Sequence, residues 1–200
     1  MSEKGKSDVT RQKILETGRS LVVKHGFGDV GLARILTDSG VPKGSFYYYF
    51  ASKEAFGEAL LQDYVDDYLM RIDALIAGPG SAGDKLNSFW NAWLTRSGTE
   101  GLATQCLVVK LGAEVADLSD GMRRVLNDGV GQFVARLAAL MREGAQDGSV
   151  RAFDNPEATA QTLYATWLGA AILAKLAQNQ TPLLRALAET TDTLAPHTPS

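Results

Sequence analysis

Between Gly31 and Phe56 the chain reads GLARILTDSGVPKGSFYYYFASKEAF, and this stretch restricts the fold more than any other. Leu32, Ile35 and Leu36 recur at helical spacing, and Gly40 is the residue type that ends a helix in a left-handed turn. A first helix is therefore predicted to stop near Ser39. Pro42 suits a first helical position, where a missing N–H costs nothing, so a second short helix is predicted from Pro42 to about Tyr49. Two helices joined by a glycine turn make a helix-turn-helix.

The second helix divides its faces. Phe46 and Phe50, four apart, can pack inward, whereas Lys43, Ser45, Tyr47 and Tyr48 carry polar tips outward. A helix that starts with Pro42, Lys43, Gly44 and Ser45 can enter a major groove closely, since Gly44 leaves room for the backbone. Its lysine and hydroxyls can donate to phosphates and base edges. Arg34 on the preceding helix adds a further cation. Ser52 is a good N-cap for the next helix, and Lys53 beside that positive helix end would make a phosphate clamp. A helical hairpin that binds no DNA is the plainer alternative.

This segment resembles the N-terminal signature of the TetR family of bacterial repressors, through Gly40, Lys43, Gly44, Phe46, Tyr47, Phe50, Ser52, Lys53 and Glu54. It departs at Tyr48, where many relatives carry histidine, and at Gly31, where many carry a threonine N-cap. The resemblance implies an all-α fold of about nine helices: a three-helix DNA-binding head (residues 1–53), a helical effector-sensing and dimerisation domain (54–194) and a loose tail (195–200).

Charge follows the same division. Residues 1–53 hold nine Lys or Arg against five acids, a net of +4, while the remainder holds eleven bases and eighteen acids, a net of −7. The overall −3 conceals a basic head. Arg11, Lys13 and Arg19 on the first helix, expected from Ser7 to about His25, are candidate DNA-backbone contacts or simply a solvated face. No apolar run reaches the length of a membrane span and the N-terminus is charged, so a cytoplasmic location is expected. One cysteine cannot form an internal disulfide, and two histidines (His25, His197) without companion ligands give no metal site. No cofactor motif appears.

Beyond residue 53, helices are predicted near 52–77, 82–97, 102–113, 119–146, 156–178 and 182–194. Phe89, Trp90 and Trp93 on one helix, with Tyr164 and Trp167 on another, either build a core or line a cavity for a small-molecule inducer. Cys106 precedes Lys110 by four residues. On one helix the two would be neighbours, and an ammonium favours thiolate; inert apolar filling is the competing account. Lys175, the one charge between Leu163 and Ala177, either snorkels to the surface or faces a polar pocket. Small residues (Ala135, Ala138, Ala139; Gly169, Ala170, Ala171, Ala174) permit close helix approach, in a dimer interface built from 119–146 and 156–178 or within the chain.

The segments PKGSFYYYFASKEAFG, CLVVKLGAEVADLS and YATWLGA with Lys175 are similar to one TetR branch, which includes a repressor of N-ethylmaleimide reductase and repressors answering to acrylate-like compounds. That resemblance implies a homodimer on a palindromic double-stranded operator, released when an electrophile or oxidant acts at Cys106, with Lys110 or Lys175 tuning the thiol or trapping the product. Two alternatives stay open: a reversible apolar ligand in a tryptophan-lined cavity, and a cysteine-dependent enzyme. No histidine lies near Cys106 in sequence, and no paired base motif appears.

Overall fold

The computed structural model describes residues 3–95 and 100–196, with side chains from residue 8. The side chains of Lys4 and Lys6, the expected helix end near residue 97, the break at Gly98 and the tail from His197 lie outside the described residues. Ten helical segments and no strand occur among the described residues: α1 (Glu3–His25), α2 (Leu32–Ser39), α3 (Lys43–Tyr49), α4 (Lys53–Ala77), α5 (Ala82–Asn91), α6 (Leu102–Gln105), α7 (Leu107–Leu118), α8 (Asp120–Asp147), α9 (Pro156–Ala177) and α10 (Thr181–Leu194). α6 is a single four-residue turn, so the fold is all-α with nine longer helices among the described residues.

The chain divides into two compact units, residues 1–67 with 110–129, and residues 68–109 with 130–200. α4, α7 and α8 contribute residues to both.

In the first unit α2 and α3 pack against α1. Gly40 ends α2 at φ 64°, and its N–H returns to the Thr37 carbonyl while that of Val41 reaches Leu36. Pro42 stands one place earlier than expected, at the N-cap of α3. Gly31 starts α2 with no side-chain cap, as the missing threonine foretold. The rings of Phe46, Phe50 and Phe56 lie 5.2–5.5 Å apart at 0–3 % exposure. Offset and edge-to-face rings at this spacing add about 0.5–1.5 kcal/mol per pair to the gain from burial.

The second unit has its own aromatic core. Trp90 stacks on Trp167 at 5.1 Å and 18°, and Trp93, Phe89, Phe133 and Tyr164 surround the pair. α5 starts with a capping box between Ser81 and Asp84. It ends at Asn91, short of the expected residue 97. Trp93 and Leu94 instead continue in tighter i→i+3 bonds, and the Leu102 N–H folds back onto the Ala92 carbonyl. That tightening seats Trp93 in the core at 0 % exposure.

One predicted helix, 102–113, is in fact two. Cys106 closes α6 with an N–H to the Leu102 carbonyl and then turns extended, at φ −67° and ψ 115°. The break lets two successive side chains, Cys106 and Leu107, both turn inward and reach 3 % and 0 % exposure. Cys106 and Lys110 therefore do not share a helix, and the i,i+4 premise for their contact fails.

Candidate functional site

The exposed side of α3 is where hairpin geometry leaves polar groups unburied. Phe46 anchors the helix, and Pro42, Lys43, Gly44, Tyr47 and Tyr48 face solvent, with Ser45 half-buried. Tyr48 is 77 % exposed and Tyr47 47 %. Apolar ring area of that size left in water marks a surface that meets something else. Tyr47 rests edge-on against Phe46 at 5.6 Å and beneath the Lys43 ammonium at 6.0 Å, which limits its rotamers. Arg34 is exposed and pairs loosely with Asp38 at 3.5 Å. Lys13 is exposed and Arg11 lies 5.5 Å over Phe50. Arg19 is drawn to Asp67 at 3.6 Å and over the Tyr64 ring.

Lys53 is placed differently from expectation. Its ammonium donates to the carbonyls of Phe27 (3.0 Å) and Gly28 (3.4 Å) and lies 4.9 Å over the Phe27 ring. From the other side, the Glu114 carboxylate accepts the N–H groups of Phe27 (3.2 Å) and Gly28 (2.6 Å). The α1–α2 turn is thus gripped at both peptide poles by opposite charges. Gly26 permits the grip: at φ 83° its place for a Cβ lies 3.1 Å from Glu114 Oε2. Nearby, Lys110 donates to the Val23 carbonyl at 3.5 Å, and Ser119 donates to Glu54 at 2.5 Å while capping α8. α7 is therefore fastened to the head by Lys110 and Glu114. Glu114 escaped sequence reasoning because its partners lie 86 and 87 residues away, and no local pattern marks such a pair.

In the second unit the aromatic residues resolve toward core. Trp90, Trp93, Trp167 and Tyr164 are 0–4 % exposed and pack on one another. A cavity of about 230 Å³ opens instead between α4, α5 and α6, lined by Tyr68, Arg71, Ile72, Leu75, Ser88, Phe89, Ala92 and Leu102. Only Phe89 was expected there. Tyr68 belongs to the helix predicted near 52–77, in which no effector-sensing residue was expected. Its phenol is held well above its ordinary value, chiefly by burial and then by the neighbouring Cys106, so it stays protonated at any physiological pH. Cys106 is buried and does not line the cavity, but it adjoins Tyr68 and lies one turn beyond Leu102, both of which do. Lys175 is exposed in the last turn of α9. It lines neither this cavity nor the one beside α10 described below.

A profile of tetR-family bacterial regulatory proteins matches residues 14–60, and one for the tetracyclin repressor-like C-terminal domain matches residues 82–190. The chain belongs to the TetR family. It is 38 % identical to the HTH-type transcriptional repressor NemR of Escherichia coli K12 over 187 residues, covering 93 % of this chain and 94 % of that one. The crystal structure of reduced E. coli NemR matches with a TM-score of 0.86, at 94 % of this chain and 98 % of that one. A crystal structure of a TetR/AcrR-family transcriptional regulator matches at 46 % identity and a TM-score of 0.84, covering 93 % and 98 %. The TetR protein described here is accordingly a DNA-binding transcriptional repressor similar to NemR, and not an enzyme. Among the described residues no helix is long and apolar enough to cross a membrane.

The double grip on the α1–α2 turn yields a direct expectation. Glu114→Ala should free the Phe27 and Gly28 amides, at a cost of about 1–3 kcal/mol for the lost charge-assisted bonds. Hydrogen exchange at those two amides measures this, and unchanged protection would mean the carboxylate contributes nothing.

Proposed function

We propose that this TetR repressor occupies a palindromic operator as a homodimer in the cytoplasm and leaves it when a reactive electrophile or an oxidant modifies Cys106. The DNA half of the reading rests on α3: an aromatic pin inside, and Lys43, Ser45, Tyr47 and Tyr48 outside around Gly44. Tyrosine hydroxyls and the lysine ammonium serve phosphates, and the first turn of α3 serves base edges.

The observation that carries the sensing half is the position of Cys106. It stands at the joint between α6 and α7, and α7 is the helix whose Glu114 holds the α1–α2 turn. An activated alkene takes the thiolate at its β-carbon; a C–S bond forms, the π pair moves onto the α-carbon, and a proton completes the adduct. Tyr68, kept protonated by burial, is the donor at hand. With an oxidant such as hypochlorous acid, chlorine transfers to sulfur and water displaces chloride to give a sulfenic acid. Either product enlarges a fully packed side chain, and a packed interior accommodates added volume by shifting. The shift is relayed along α7 to the turn. A coupling of about 1–3 kcal/mol, or roughly 5–150-fold in operator affinity, is enough for release. Lys110 and Lys175 have no part in this version, since one is turned to Val23 and the other to solvent.

Dimerisation is supported by α9. Ile172, Leu173 and Leu176 are 45, 57 and 76 % exposed, and Gly169, which precedes them on the same face, has open space about its Cα. Ala135 and Ala139 of α8 are exposed as well. Ala138, Ala170 and Ala171 are buried within the unit, so intrachain packing accounts for those three and leaves the outer stripe for a second copy.

Three outcomes are expected. Lys43→Ala should weaken operator binding and lower the salt dependence of log K by about 0.9 per protomer, read from gel shifts at several salt concentrations. Cys106→Ser should bind the operator normally yet stay bound after N-ethylmaleimide or hypochlorite, with intact mass showing one adduct only in the wild type. Equal release of the serine variant would assign sensing to a reversible ligand in the Tyr68 cavity. Leu173→Glu with Leu176→Glu should sediment as a folded monomer and lose high-affinity operator binding; a persistent dimer would place the interface elsewhere.

A further inference from the structure

α5 separates two cavities. Ser88, Phe89 and Ala92 face the Tyr68 cavity, while Gly83, Asn87 and Trp90, at i, i+4 and i+7, face the opposite way. On that opposite side lies a cavity of about 260 Å³, lined also by Ser149, Val150 and the α10 residues Leu187, Thr190, Thr191 and Leu194, with Ala195 and Pro196 at its edge.

Its chemistry is distinctive. No charged side chain is among the lining residues, so an ion entering would lose its water with nothing to replace it. Trp90 is 1 % exposed, and its indole N–H meets no acceptor among the described residues. Thr190, also 1 % exposed, accepts from the Trp167 indole at 2.9 Å and keeps its own hydroxyl proton to donate. Ser149 already accepts the Gly83 N–H at 2.8 Å. Two buried donors beside apolar Val150, Leu187 and Leu194 call for an occupant with an apolar body and an acceptor oxygen. At about 30 Å³ per water-sized group, the volume admits on the order of nine non-hydrogen atoms.

We propose that this cavity is a second small-molecule site, separate from the Cys106 region, which takes a small neutral carbonyl compound whose oxygen accepts from Trp90 and Thr190. Occupancy involves no covalent step and does not depend on the cysteine.

Acetophenone, with nine non-hydrogen atoms, is the probe, and the ¹⁵N-labelled full chain supplies the readout. The Trp90 indole N–H resonance, assigned through Trp90→Phe, should shift saturably on titration, in the wild type and in Cys106→Ser alike. Ethylbenzene, which has a similar body and no oxygen, should bind about tenfold or more weakly. Thr191→Phe, an exposed position at the cavity's edge, should block binding while circular dichroism stays unchanged. Absence of a saturable shift, equal binding of ethylbenzene, or undiminished binding to Thr191→Phe would each overturn the proposal; the last would move the ligand to another cavity.

Discussion

Everything the head does depends on Phe46. A helix of seven residues is far below the length at which helices persist alone in water, because nucleation costs more than so few hydrogen bonds return. α3 exists because its buried ring is held between Phe50 and Phe56, one from the end of the helix and one from the start of α4. Five aromatic residues in a row, Phe46 to Phe50, then follow from the geometry of a short helix with one buried face. Phe46 and Phe50 face inward, Tyr47 and Tyr48 cannot, and the hydroxyls let those two stay in water until a partner covers them.

The same head is steadied at a second point, the α1–α2 turn. Lys53 takes its carbonyls and Glu114 its amides, so the turn sits between two charges that satisfy the C=O and N–H groups of the same two residues. Lys53 begins α4 and Glu114 belongs to α7. Both helices come from outside α1–α3, and in the proposed sensing mechanism α7, which begins directly after Cys106, is the one that matters. Neither contact needs to break. A carboxylate-to-amide bond weakens steeply with distance and angle, so a displacement of a fraction of an ångström in α7 changes how firmly the turn is held.

These contacts divide by range into what was legible and what was not. The helix-turn-helix was readable because each of its signals is local: Gly40 supplies a left-handed turn, Pro42 a helix start, Ser52 a cap, and Phe46 with Phe50 one face. The helices α8, α9 and α10 were readable within two residues for the same reason. Lys53 was read as a phosphate clamp because its helix-terminal position suggests one; the two carbonyls that claim it are 25 and 26 residues away and leave no local trace. Cys106 was read as helical because leucine and valine around it keep a helical period. The break depends on burying Cys106 and Leu107 together, which is a tertiary demand. Trp90 and Trp93 were readable as large rings on the helix predicted near 82–97, but which lined a cavity and which filled a core was decided by partners on α9 and α10.

The placement of Cys106 carries an argument about selectivity. A surface thiol reacts with whatever diffuses to it, whereas one that is 3 % exposed reacts only with what can enter its surroundings or with what meets a transient opening. The neighbouring cavity, which Cys106 does not itself line, has apolar walls in Ile72, Leu75, Phe89 and Leu102, with the Arg71 guanidinium among them. In the proposed sensing mechanism, small, weakly hydrated reagents would reach such a site at less desolvation cost than glutathione-sized, charged disulfides. Burial thus slows the reaction and narrows its causes at the same time. For the covalent sensor proposed above, slower reaction is an acceptable consequence, because a single covalent event persists while transcription responds.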